Sequence, residues 1–138
     1  MLGVNSQHMH AVKMGAHAVD DWRSENPAER LDLSGADLAG MNFEGWNLSR
    51  VILDNADLSG ACLRGADLSE AWARRTKFVE ADLSNCVLFR TSLAGADLRD
   101  ADLSDTNMYR CILRDAVLND GTNFDGAWAA KVIWPGTN

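Results

Sequence analysis

From Leu31 to Asp120 the chain is written in units of five residues, eighteen in a row with no insertion. The run opens LDLSG ADLAG MNFEG WNLSR and passes through ADLSG, ADLSE, ADLSN, ADLRD and ADLSD to AVLND. Leu stands third in 14 units, with Phe43, Ala73, Phe78 and Met108 in the others. Ala stands first in nine, Asp or Asn second in ten, and Gly fifth in six. A helix needs apolar residues every 3.6 positions and a strand every two, and a strict five satisfies neither. What fits is a short extended stretch with its first and third side chains inward, followed by a turn made by Gly, Asn, Asp and Ser. Each unit then forms one side of a coil, and successive coils hydrogen-bond like parallel strands about 4.8 Å apart.

The ADLSG-type units resemble the A(D/N)LXX consensus of the pentapeptide-repeat proteins. The resemblance implies an all-β solenoid: a right-handed quadrilateral parallel β-helix of about 4.5 coils, with a short N-terminal α-helical cap. Three regions follow. Residues 1–30 form a tail and capping helix, residues 31–120 the β-helix, and residues 121–138 a C-terminal cap. With 20 residues to a coil, inward stacks run through Leu33, Leu53, Ala73, Leu93 and Leu113, and through Leu38, Leu58, Phe78, Leu98 and Leu118. The other two stacks are Phe43, Leu63, Leu83, Leu103 and Leu48, Leu68, Leu88, Met108. Bulky first-place residues in the opening units (Leu31, Met41, Trp46 and Val51) suit an open end that meets a cap. Val12, Gly15, Ala16, Val19 and Trp22 make one apolar stripe of a capping helix, ended by Pro27. The five-residue phase breaks at Gly121, and Phe124, Trp128, Ile133 and Trp134 are expected to plug the far end or meet a second copy.

Composition narrows the function classes. A net charge of −7 argues against direct nucleic-acid binding, which needs Lys and Arg in excess. No run of 18 apolar residues marks a membrane span, and the first ten residues lack the pattern of a secretory signal. Three Cys without paired spacing suit a reducing cytoplasm. Cys86 and Cys111 sit at inward places and Cys62 at an outward one, which makes Cys62 the accessible thiol. No phosphate loop, Cys-x-x-Cys pair or serine elbow is present. His8, His10 and His17 read as part of a solvated terminus rather than as metal ligands. The chain is expected to be neither an enzyme nor a holder of cofactors.

The outward places divide into two kinds. Two neighbouring sides carry Asp37, Asp57, Asp97, Asp100 and Asp120, and Asp82, Asp102 and Asp105. The other two carry Ile52, Trp72 and Ile112 in one column, Phe89 and Tyr109 one coil apart with Val87 beside them, and Arg74, Arg75, Arg90 and Arg110. Exposed aromatics with Arg nearby have the composition of a protein interface. The leading expectation is a non-catalytic protein-binding module of a bacterial cytoplasm, monomeric or a homodimer through the C-terminal segment, with these apolar and basic residues as its partner surface. The family resemblance also implies an alternative, a DNA mimic whose acidic sides inhibit or protect DNA gyrase or topoisomerase IV, as in quinolone resistance. Eighteen units make about 22 Å of rod, where duplex DNA carries about 13 charges. The repeats net only −6. A further alternative is an element that assembles end on end.

Overall fold

In the computed structural model, residues 3–136 are described, and the ends of the expected terminal regions (residues 1, 2, 137 and 138) lie outside them. Two helices, α1 (Ser6–Met14) and α2 (Ala16–Glu25), precede the repeats. Asn5 caps α1 through a side-chain bond to the His8 N–H. The single helix expected from the apolar stripe is instead broken at Gly15, whose φ of 110° only glycine adopts without strain. The stripe itself survives the break: Val12, Val19 and Trp22 are buried in the same core as Leu31 and Val51.

From Asp32 onward the units form parallel bridges to the unit 20 residues later, or 21 for the last three, giving four ladders. They are 32–52–72–92–112–133, 37–57–77–97–117, 42–62–82–102–123 and 47–67–87–107–128. The unit around Leu83 shows the bonding. Asp82 N–H donates to the Ala61 carbonyl below (2.9 Å), Leu83 N–H to the Asp102 carbonyl above (2.7 Å), and Asn85 N–H to the Ser104 carbonyl above (2.9 Å). The chain then turns, with Cys86 N–H on the Leu83 carbonyl at 3.2 Å. The fifth residue has positive φ in every unit from Gly35 to Asp115, as a type II turn requires of its second central residue. Gly adopts that conformation freely, while Arg, Glu or Asp there costs about 1 kcal/mol.

The expected inward residues fill the interior: Leu33, Leu53, Leu83 and Leu103 are all essentially unexposed, as are Phe43 and Phe78. First-place Thr is as buried as Ala because its hydroxyl donates to a third-place carbonyl; Thr76 bonds Leu53 O and Thr91 bonds Leu68 O. No buried side-chain polar atom among the described residues lacks a partner.

Second-place Asp does more than face solvent. Asp67, Asp82 and Asp32 each accept the N–H and the hydroxyl of the Ser two residues on. This closes the turn from its side chain, and it explains why Asp and Ser recur together as ADLS.

The C-terminal stretch departs from the expected separate cap. Residues 119–121 contain one extra residue, after which the pattern resumes at Thr122 and bridges run 21 residues back, from Asn123, Trp128 and Ile133. The strict period breaks, but the ladders do not. Leu118, expected inward with the rest, is only half-buried with Phe124, Val132 and Trp134 at this end.

Candidate functional site: an aromatic and basic side of the solenoid

The helical cap is tied to the first units by polar bonds. Arg23 donates to the Ser49 carbonyl and hydroxyl (2.7 and 2.6 Å). His8, expected in a solvated terminus, is 6% exposed, lies 4.4 Å edge-on to Trp22, and accepts the Asp32 N–H at Nδ1 (2.7 Å). Sequence reasoning missed it because its partner is a backbone group far along the chain. Among the described residues no three His, Cys, Asp or Glu side chains gather into a metal-binding group. Burial pushes the Cys86 and Cys111 thiols up to about 12. Cys62 is half-buried on the outer surface.

The expected partner surface divides into two patches. Ile52, Trp72 and Ile112 do share a ladder, with Ser92 between them. Trp72, 38% exposed, is clasped by two guanidiniums, Arg30 at 4.0 Å from its ring centroid and Arg74 at 5.1 Å. Arg30 also donates to the carbonyls of Arg50 and Glu70 (both 2.9 Å). Arg74 is bound bidentately to Asp54, at 2.6 Å in the ion pair. Trp72 therefore anchors the lead-in segment to the side of the solenoid. Arg75 turns to the next corner and bonds Asn55.

The second patch is open. Phe89 and Tyr109 stack with centroids 5.7 Å apart and planes 11° apart. Trp128, which the sequence reading assigned to the cap, extends the stack at 5.4 Å and 28°. Val87 lies on the same side, two ladder steps below Trp128. The one-residue insertion hid this alignment from a strict count of five. At the neighbouring corner Arg90 lies 5.4 Å from the Phe89 centroid, Arg110 5.5 Å and Lys131 5.9 Å from that of Tyr109. Hydrogen bonding from Arg110, with the charge of Arg110 and Lys131, lowers the Tyr109 pKa.

The acidic sides hold eleven acidic residues against three basic, a net −8, while the repeats on the other two sides net +2. The acids also brace the turns. Asp37, Asp57 and Asp102 accept N–H groups two residues on, and Asp100 is held by Asn119. Asp105 and Asp120 are exposed at corners. Hydrogen bonds from Ser59 lower the Asp57 pKa, and the Arg99 side chain lowers that of Asp97. Burial opposes ionisation of Asp82, but bonds from Ser84 and Arg64 outweigh it and the pKa falls.

The profile of pentapeptide repeats matches eight copies, over residues 32–70 and in overlapping segments from 73 to 133. The chain belongs to the pentapeptide-repeat family, whose members fold as right-handed quadrilateral β-helices. A family protein from the cyanobacterium Cyanothece 51142, Rfr23, is 32% identical with a TM-score of 0.70, over 71% of this chain and 67% of that one. A pentapeptide-repeat protein from the Arabidopsis thaliana thylakoid lumen is 29% identical, over 72% and 65%, with a TM-score of 0.38. QnrB1, a plasmid-mediated fluoroquinolone resistance protein, is 23% identical over 73% and 58%, with a TM-score of 0.33. None of the curated proteins matches the chain significantly. No helix among the described residues is long and apolar enough to cross a membrane.

Proposed function

We propose that the chain is a non-catalytic, protein-binding solenoid that takes its partner on the aromatic and basic sides, in the cytoplasm of a bacterium. The observation that carries this reading is the Phe89–Tyr109–Trp128 stack on the outer surface, in which Phe89 and Tyr109 are half-buried and Trp128 is 58% exposed. Aromatic residues and Arg dominate protein interfaces because they offer large contact area with polar edges. The surface around it is a ladder side, while a groove of about 780 Å³ lined by Asn5, Asp32 and Asp54 lies at the other end of the solenoid. A second reading draws on the net −8 of the acidic sides and has them imitate duplex DNA toward a type II topoisomerase. Against it, a duplex of the same length carries about 13 charges, and the turns already use many of these carboxylates.

Photo-crosslinking separates the two readings. A photoreactive residue in place of Tyr109 should capture the partner in cells, and the same residue in place of Asp105 should not. Capture only from Asp105, together with inhibition of gyrase supercoiling, would overturn the first reading in favour of the second. Sedimentation of the same samples tells a monomer from a homodimer through the C-terminal segment.

A further inference from the structure

The open patch has two features that bear on the partner's chemistry. The first is ring orientation. Phe89, Tyr109 and Trp128 lie nearly parallel along the solenoid axis, so each ring covers its neighbour's face and the ladder offers mainly edges. Ring edges carry the positive rim of the aromatic quadrupole and attract anions, whereas base stacking needs free faces. The second is charge pairing. Three ion pairs form among the described residues, and they employ Arg64, Arg74 and Arg99. Arg90, Arg110 and Lys131 occur in none of them, and their close neighbours are the rings. Glu70, at the same corner one coil below Arg90, ends the cationic column.

We propose that the Phe89–Tyr109–Trp128 ladder, with Arg90, Arg110 and Lys131 beside it, docks an acidic segment of a partner protein running along the solenoid axis. The inference rests on the protein-binding reading above and adds the chemistry of the partner. Carboxylates of the segment meet the guanidinium and ammonium groups, and its aliphatic parts cover Trp128. A nucleic-acid strand fits less well. It would find few open ring faces on which to stack its bases.

The test uses the full chain and three labelled probes: octaglutamate, octalysine and an eight-nucleotide oligothymidylate, followed by fluorescence anisotropy. Octaglutamate should bind more tightly than the other two, and less tightly as salt rises from about 50 to 200 mM. Arg90→Glu with Arg110→Glu should weaken it by about tenfold or more, the equivalent of about 1.4 kcal/mol. Lys131→Glu alone, a milder change, should weaken it about threefold, and thermal melts check that each variant is folded. The proposal is overturned if octaglutamate does not bind, if folded variants bind it as well as the parent does, or if oligothymidylate is the tightest probe. It is also overturned if the parent dimerises with rising concentration and the double variant does not, because the ladder would then hold the acidic sides of a second copy. If these probes fail while Tyr109 still crosslinks a protein in cells, the binding module stands and only the acidic chemistry falls.

Discussion

Asp82 shows how much one residue of the repeat does. It accepts the Ser84 N–H (2.9 Å) and hydroxyl (2.6 Å) and pairs with Arg64 at 3.0 Å. An outward position alone suggests that Asp82→Ala is nearly neutral. With these bonds, the change should cost about 1–2 kcal/mol. Asp82→Asn should cost less, because an amide oxygen accepts the same N–H, as Asn42 and Asn107 do. Denaturant titrations of the two variants decide the matter. The same carboxylates set the acid limit of stability. Asp57, Asp82 and Asp97 have folded pKa values below the ordinary one, so their stabilisation is present above the unfolded value near 3.9 and is lost as pH falls through the folded values. Melting temperature should hold between pH 7 and 5 and drop below about pH 4, less steeply for Asp82→Ala.

The N-terminal helices act as an element through a few long-range bonds. Val12, Val19 and Trp22 are buried in one continuous core with the bulky first-place residues Leu31 and Val51. Trp46 is half-buried and lies edge-on to Phe43 at 4.9 Å. Deleting residues 1–25 exposes that apolar end and removes the His8–Asp32 and Arg23–Ser49 bonds. The truncated chain should aggregate or associate end on end and should melt at lower temperature. A truncated chain that stays monomeric in light scattering and melts with the parent would show that the helices are dispensable. The apolar stripe over 12–22 was legible because helical spacing survives a one-residue break. The break at Gly15 and the buried His8 were not, since both depend on how the helices meet the first coil.

At the scale of the molecule, four inward columns and their ladder bonds carry the stack. Leu83 is fully buried in a central unit, so Leu83→Asp places an unpaired charge in the interior and should abolish folding. Leu83→Ala should leave a folded chain weakened by about 2–5 kcal/mol. Circular dichroism and denaturant titration distinguish the two. Equal stability of Leu83→Asp and the parent would show that the assigned inward register is wrong.

The five-residue period was enough to determine the inward residues and the turn positions along the uninterrupted repeat, and the family resemblance, which implies four units to a coil, then sorted the outward residues into sides. Counting also brought Phe89, Tyr109, Arg90 and Arg110 together. It could not bring in Trp128 or Lys131, which join the ladder only because the insertion at 119–121 is absorbed at a corner while the bridges continue. Nor could it show that Trp72 is clasped by Arg30, 42 positions earlier, or that Asp82 braces a turn. These depend on distances between side chains on different coils and on backbone groups that folding brings within hydrogen-bonding reach, so only the tertiary structure decided them.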